Sequence, residues 1–273
     1  MKFSHDNFPP NTIEKKGYII DFCEEFNNKE LDIKKWIPFY LPQWSSREMS
    51  QPHFEIRNNY LILKIEKDQK PWCPEFNGNV KCSSIQTGIF SGKKGSNIGQ
   101  HKINTKCIVR EEQQNRYTYL PQYGYFEIRA KSLDSTSNVV ALWMIGFEDK
   151  PEKSAEICIF EVKGKNVQKN KATIGYGIHK FNDNKLEEAF FEDEFEIDVT
   201  KFHTYAVDWT PEKLTFYIDN IKVREINQSP GYPMQLMLGI YEVPVKERNK
   251  KDYLYPKEFV IDYVRVYKPI TQI

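Results

Sequence analysis

One periodicity dominates this chain. Apolar residues recur at every second position in many short stretches, and no long stretch carries them at the helical spacing of three and four. Leu61, Leu63 and Ile65 share one face, as do Phe126, Ile128 and Ala130 against Tyr125, Glu127, Arg129 and Lys131. Leu214, Phe216 and Ile218 alternate with Thr215 and Tyr217 and run into Asp219-Asn220. Those two residues tolerate positive φ and close a tight hairpin onto Ile221, Val223 and Ile226. Val139 to Phe147 is an almost unbroken apolar run, the pattern of a strand covered on both faces, and Val260 to Tyr267 is a β-rich last strand. Such strands, punctuated by Gly, Pro, Asn and Asp, predict an all-β sandwich.

A sandwich of 273 residues is one large domain or two small ones. With no internal repeat and no Gly/Ser linker, the reading is one domain over residues 1–273, residues 1–17 forming an N-terminal extension. Lys67 to Arg116 lacks periodicity and reads as long loops over one face; loops of that length usually bind something. Leu186 to Asp198 carries seven acidic residues and reads as a solvated loop or sheet edge, with a cation site as the alternative.

Charge narrows the partners. The 39 Lys and Arg balance 38 Asp and Glu, which removes the electrostatic argument for nucleic acid or an anionic membrane. No stretch of about 18 apolar residues occurs, and Met1 to Asn7 lacks the apolar core of a signal peptide. The chain as written is therefore expected inside the cell, or outside it if a leader was removed. Five cysteines cannot all pair internally. Cys73 and Cys82 are within reach of a bridge, free thiols are the favoured state, and without a CxxC pair no zinc site is expected.

The chemistry concentrates in Ser154-Ala155-Glu156-Ile157-Cys158-Ile159-Phe160-Glu161-Val162. In a strand Glu156 and Cys158 share a face, opposite Ile157 and Ile159. Regular alternation sends Glu161 to the other face; one bulged residue near Phe160 reverses the parity and returns it to the side of Glu156. Two carboxyls on one face suit retaining glycoside cleavage, which needs an ionised nucleophile and a protonated acid about 5–5.5 Å apart. Burial and mutual repulsion push two such pKa values apart. By themselves, two glutamates flanking an apolar strand are more often solvent-facing.

Here the sequence resembles glycoside hydrolase family 16, the laminarinase, lichenase and related β-glucanase group. The resemblance is collinear from roughly Tyr18 to Lys268. It rests on Phe22-Cys23-Glu24-Glu25-Phe26-Asn27 with Leu31-Asp32 and Lys35-Trp36, on Tyr123 to Lys131, and on Ala141-Leu142-Trp143-Met144. Phe202 to Tyr205 with Trp209-Thr210-Pro211, and Asp262 to Tyr267, complete it. It implies a concanavalin-like β-jelly roll of two curved antiparallel sheets with a concave groove for a polysaccharide or oligosaccharide. It also implies endo-type retaining hydrolysis of a β-glucan or galactan, with a lectin-like binding protein or a transglycosylase as alternatives.

The family strand reads Glu-x-Asp-x-x-Glu, so the resemblance makes Glu156 the nucleophile and Glu161 the general acid/base. Cys158 stands in place of the aspartate, removing one negative charge and easing ionisation of Glu156. Its thiol is expected to be inert, and Cys158→Asp is expected to retain or raise activity. The sugar-binding candidates are Trp143, Gln86, His179, Tyr241 and Trp44, each against a structural alternative. Val139 replaces a tryptophan usual in the family. No organic cofactor is required; a structural calcium, with Glu25 and Asp262 as nearest counterparts, is left uncommitted.

Overall fold

The computed structural model describes residues 1–270, and nearly all of its regular structure is antiparallel β. In chain order the strands are β1 (Tyr18–Glu24), β2 (His53–Arg57), β3 (Tyr60–Ile65), β4 (Lys81–Gln86), β5 (Gly88–Ile89), β6 (Arg116–Tyr117), β7 (Gly124–Lys131) and β8 (Asn138–Gly146). Then come β9 (Glu156–Gln168), β10 (Lys171–His179), β11 (Ala189–Phe195), β12 (His203–Trp209), β13 (Leu214–Ile218), β14 (Ile221–Ile226), β15 (Met234–Glu242) and β16 (Lys257–Pro269). An eight-stranded sheet runs β14-β13-β12-β7-β16-β3-β2, with β1 also paired to β16. A six-stranded sheet runs β11-β10-β9-β8-β15-β4. Together they form the β-jelly roll.

The alternation places the core. Phe126, Ile128 and Ala130 of β7 and Val264 and Val266 of β16 meet Leu142, Met144, Ile157, Phe160, Leu236 and Leu238 from the other sheet. The Phe160 and Tyr205 rings stack across this interface at 4.2 Å between centroids. Asp219 and Asn220 adopt φ of 48° and 65°, closing β13 onto β14 as the turn chemistry requires.

The doubly apolar β8 serves two cores. Leu142 and Met144 enter the main one. Ala141, Trp143 and Ile145 point the other way, into a second cluster with Tyr40, Leu41, Trp44, Trp72, Cys73, Cys107, Val109 and Met237. This second cluster corrects the loop reading of Lys67 to Arg116. That segment contributes β4, the edge of the six-stranded sheet, and its aperiodic remainder packs over part of the same sheet. Apolar side chains that bury against a loop layer need follow no strand period.

The acidic stretch is the edge strand β11, whose charges meet basic partners. Lys163 reaches Glu192 at 3.0 Å and Arg224 reaches Asp193 at 2.7 Å. Charged residues on an exposed edge oppose pairing with a second chain. Among the described residues all five cysteines are free, no cluster of three potential metal ligands occurs, and no helix is long and apolar enough to cross a membrane.

Candidate active site

The strand β9 is bulged. Phe160 lies opposite Leu142 of β8 and Cys158 opposite Trp143, so Ile159 is the extra residue. On the other flank Glu161 lies opposite Gly175 of β10 and Cys158 opposite Gly177, again one residue out of step. Ile157, Ile159, Phe160 and Val162 all enter the main core, while Glu156, Cys158 and Glu161 line one cavity on the outer face. Two successive buried apolar residues are what turn Glu161 around.

That cavity holds about 290 Å³, its walls including Tyr40, His101, Val139, Ala141, Trp143 and Tyr241. Burial first, then the charges of Glu161 and Glu188, push the Glu156 carboxyl up to about 8. Lys163, two residues beyond Glu161, places its ammonium 3.2 Å from the Glu161 carboxylate. The Lys163 ammonium thus stands beside Glu161, while burial favours the neutral form of Glu156. Burial outweighs the charge that Cys158 spares the site. Cys158 is buried, its thiol raised well above its ordinary value by burial and then by Glu161 and Glu156.

Trp143 and Tyr241 form one wall, the indole Nε1 donating to the Tyr241 hydroxyl at 3.2 Å. The His101 ring packs against Trp143 at 4.9 Å, and burial lowers its pKa to about 4, so it is a neutral imidazole. His179 lies opposite Glu156 on β10, stacks on Phe190 and meets Glu188 at 2.5 Å. It is held by Glu188 and is not among the residues that line the cavity.

Two sugar-binding candidates are corrected. Trp44 is fully buried in the second cluster and donates Nε1 to the carbonyl of Gln100. Gln86 is also fully buried, beneath Leu41, whose N–H it accepts at 3.3 Å. Both are covered by the loop layer that the sequence pattern does not reveal. Conversely, Tyr40, His101 and Lys163 contribute to the site without prior signal, the first two from aperiodic loops. Lys163 was legible in principle, since it follows Glu161 by two positions and so shares its face.

On the convex side the two nearest calcium counterparts are engaged by arginines. Glu25 receives two N–H groups of Arg265 at 2.6 and 2.9 Å, and Asp262 pairs with Arg129 at 2.6 Å. Guanidinium groups already neutralise the oxygens a divalent ion would need.

Residues 112–264 match the model of the glycosyl hydrolases family 16. A GlcNAcα1-4Gal releasing endo-β-galactosidase from Clostridium perfringens is 33% identical, covering 98% of this chain and 67% of its own, with a TM-score of 0.83. The β-glucanase of Bacillus subtilis is 30% identical over 132 residues, which are 47% of this chain and 50% of that protein. A laminarinase from Flavobacterium sp. UMI-01 shares the fold at 22% identity and a TM-score of 0.62, covering 92% of this chain and all of its own. The chain belongs to glycosyl hydrolase family 16. It spans about half the length of that Bacillus β-glucanase.

Proposed function

We propose that this chain is a retaining, endo-acting glycosidase, and that the bond it cleaves is a β-galactosidic one in a glycan carrying GlcNAcα1-4Gal. The observation that carries the reaction type is the bulge at Ile159, which sets Glu156 and Glu161 in one cavity. The galactoside is supported by the likeness to the Clostridium enzyme over almost the whole chain, whereas the laminarinase likeness is one of fold.

In this reading the Glu156 carboxylate attacks the anomeric carbon and forms an ester. The glycosidic C–O bond breaks, its electron pair stays on the leaving oxygen, and Glu161 supplies that oxygen's proton. Glu161 then takes a proton from water, whose oxygen attacks the same carbon and frees Glu156. The reactive form carries one proton in the pair, on Glu161. Burial raises the Glu156 carboxyl in the free protein, so ionising it as the nucleophile is a task that substrate entry has to accomplish.

Cys158 and the Lys163–Glu161 pairing favour a second reading, sugar binding without cleavage. Reducing-end release from GlcNAcα1-4Gal-bearing glycan and from laminarin separates the two. Cleavage should occur on the first, the initial sugar product should be the β anomer by NMR, and Glu156→Gln and Glu161→Gln should each lower kcat on the order of 10²–10⁴-fold. An α-anomeric first product, or release indifferent to both substitutions, would overturn the assignment.

A further inference from the structure

A second cavity of about 400 Å³ adjoins the first, and His101 lines both. It lies past the Glu156 end of the pair. Ser154, two residues ahead of Glu156, forms part of its wall, as does Glu148, two residues past the end of β8. Glu161, which faces the leaving oxygen in the proposed reaction, is at the far end. A sugar in the second cavity therefore lies on the Glu156 side of the pair rather than on the Glu161 side.

Its walls carry exposed apolar groups. Phe181 and Ile98 are 49% and 54% exposed, large apolar groups turned toward a concave space together with Phe90. Sugar ring faces and methyl groups cover such surfaces favourably. Among them stands Glu148, whose Oε1 accepts the His101 N–H at 2.6 Å while its other oxygen has no partner among the described residues. His101 and Glu148 both have left-handed backbone, φ 47° and 57°, conformations unusual for side chains of their size. Two loops are thus bent to bring this carboxyl into the wall.

We propose that the second cavity receives the N-acetylhexosamine attached to the galactose at the cleavage site, with Glu148 meeting its acetamido group; this rests on the galactoside reading above. An acetamide presents one N–H donor and one carbonyl acceptor, and a protonated carboxyl matches both. Burial pushes the Glu148 carboxyl up to about 8 against the opposing pull of the His101 N–H and Lys102, which keeps it largely protonated at neutral pH. A hexosamine without its acetyl group presents an ammonium instead and is discriminated against. Glu148 is a specificity residue here and takes no part in bond cleavage.

The test is calorimetric titration of the free disaccharide GlcNAcα1-4Gal, and of galactose alone, into Glu156→Gln protein. The disaccharide is expected to bind about tenfold tighter or more. Asn182→Trp, which fills the cavity from its exposed rim, and Glu148→Leu should erase that difference. Glu148→Gln, which keeps one donor and one acceptor, should preserve it. Equal binding of the two sugars, or a preference that survives Asn182→Trp, overturns the proposal. Reducing-end release from the GlcNAcα1-4Gal-bearing glycan by otherwise unaltered protein is measured alongside. Should that release be missing while disaccharide binding behaves as expected, the cleavage reading fails and the cavity assignment stands.

Discussion

Glu156 lines the same cavity as Glu161, and of the two Lys163 contacts only the latter. Burial and the neighbouring carboxylates raise the Glu156 carboxyl to about 8. The nucleophile must be ionised to attack, so kcat/KM should rise with pH toward that value. Lys163→Met removes a cation that favours ionisation, makes the pair harder to deprotonate and should move this limb to higher pH by about half a unit to one unit. An unshifted limb would show that the ammonium does not act on the pair. Stability carries the opposite sign. A carboxyl raised from 4.5 to about 8 on folding destabilises the fold as pH climbs between those values. The stability advantage of Glu156→Gln over the parent should therefore grow from pH 5 to pH 8, reaching on the order of a few kcal/mol. Thermal melts at the two pH values check it, and an advantage that shrinks would contradict the assignment of the proton. The thiol of Cys158, raised further still, should resist iodoacetamide at pH 8 in the folded protein.

At the scale of the element, the bulge needs a partner that can follow it. On β10, Gly177 sits at φ 134°, opposite Cys158, and a Cβ there would lie 2.1 Å from the Ala189 carbonyl of β11. Glycine is required twice over, by the backbone angle and by the neighbour. Gly177→Ala should destabilise by about 1–3 kcal/mol and lower activity by disturbing the strand that aligns β9. Chemical denaturation gives the first and kcat the second; a neutral substitution would mean that β10 does not hold the bulge. This element also shows what the sequence disclosed. The parity flip was legible because Ile159 and Phe160 are adjacent apolar residues between acids already placed by alternation. Its location at Ile159, and the glycine that accommodates it, depend on cross-strand register, which no single strand encodes. Gln86 and Trp44 were misjudged for a related reason. Strand position gave Gln86 the correct face, but the layer from Tyr40 to Val109 that covers both is held by contacts distant in sequence. The same layer delivers His101 to the cleft, which no pattern in Lys67 to Arg116 foretold.

For the whole molecule, the two faces of the sandwich have separate work. The eight-stranded sheet turns Glu127, Arg129 and Arg265 outward, and residues 1–17 cover them. Arg129 donates to the Phe8 carbonyl at 2.9 and 2.6 Å, Arg265 donates to the Asn11 carbonyl at 2.8 Å, and Asn11 donates to Glu127 at 2.9 Å. Phe3 packs edge-on against Phe195, its N–H bonded to the Glu196 carbonyl at 2.8 Å. Only 6% of Arg129 and 5% of Arg265 remain exposed, and removing the segment that covers them gives up these charge-assisted hydrogen bonds, worth about 1.5–3 kcal/mol each. Deleting residues 2–16 should accordingly lower Tm by on the order of 10 °C. A chelator should leave Tm of the intact chain unchanged, because Arg265 and Arg129 already neutralise Glu25 and Asp262. The cleft lies across the main core from this cover, so kcat/KM of the shortened protein, measured below its melting range, should stay within about twofold of the parent. A matching loss of kcat/KM would mean that the convex cover reaches through the sandwich to the glutamate pair, and that stability and chemistry are not partitioned between its two faces.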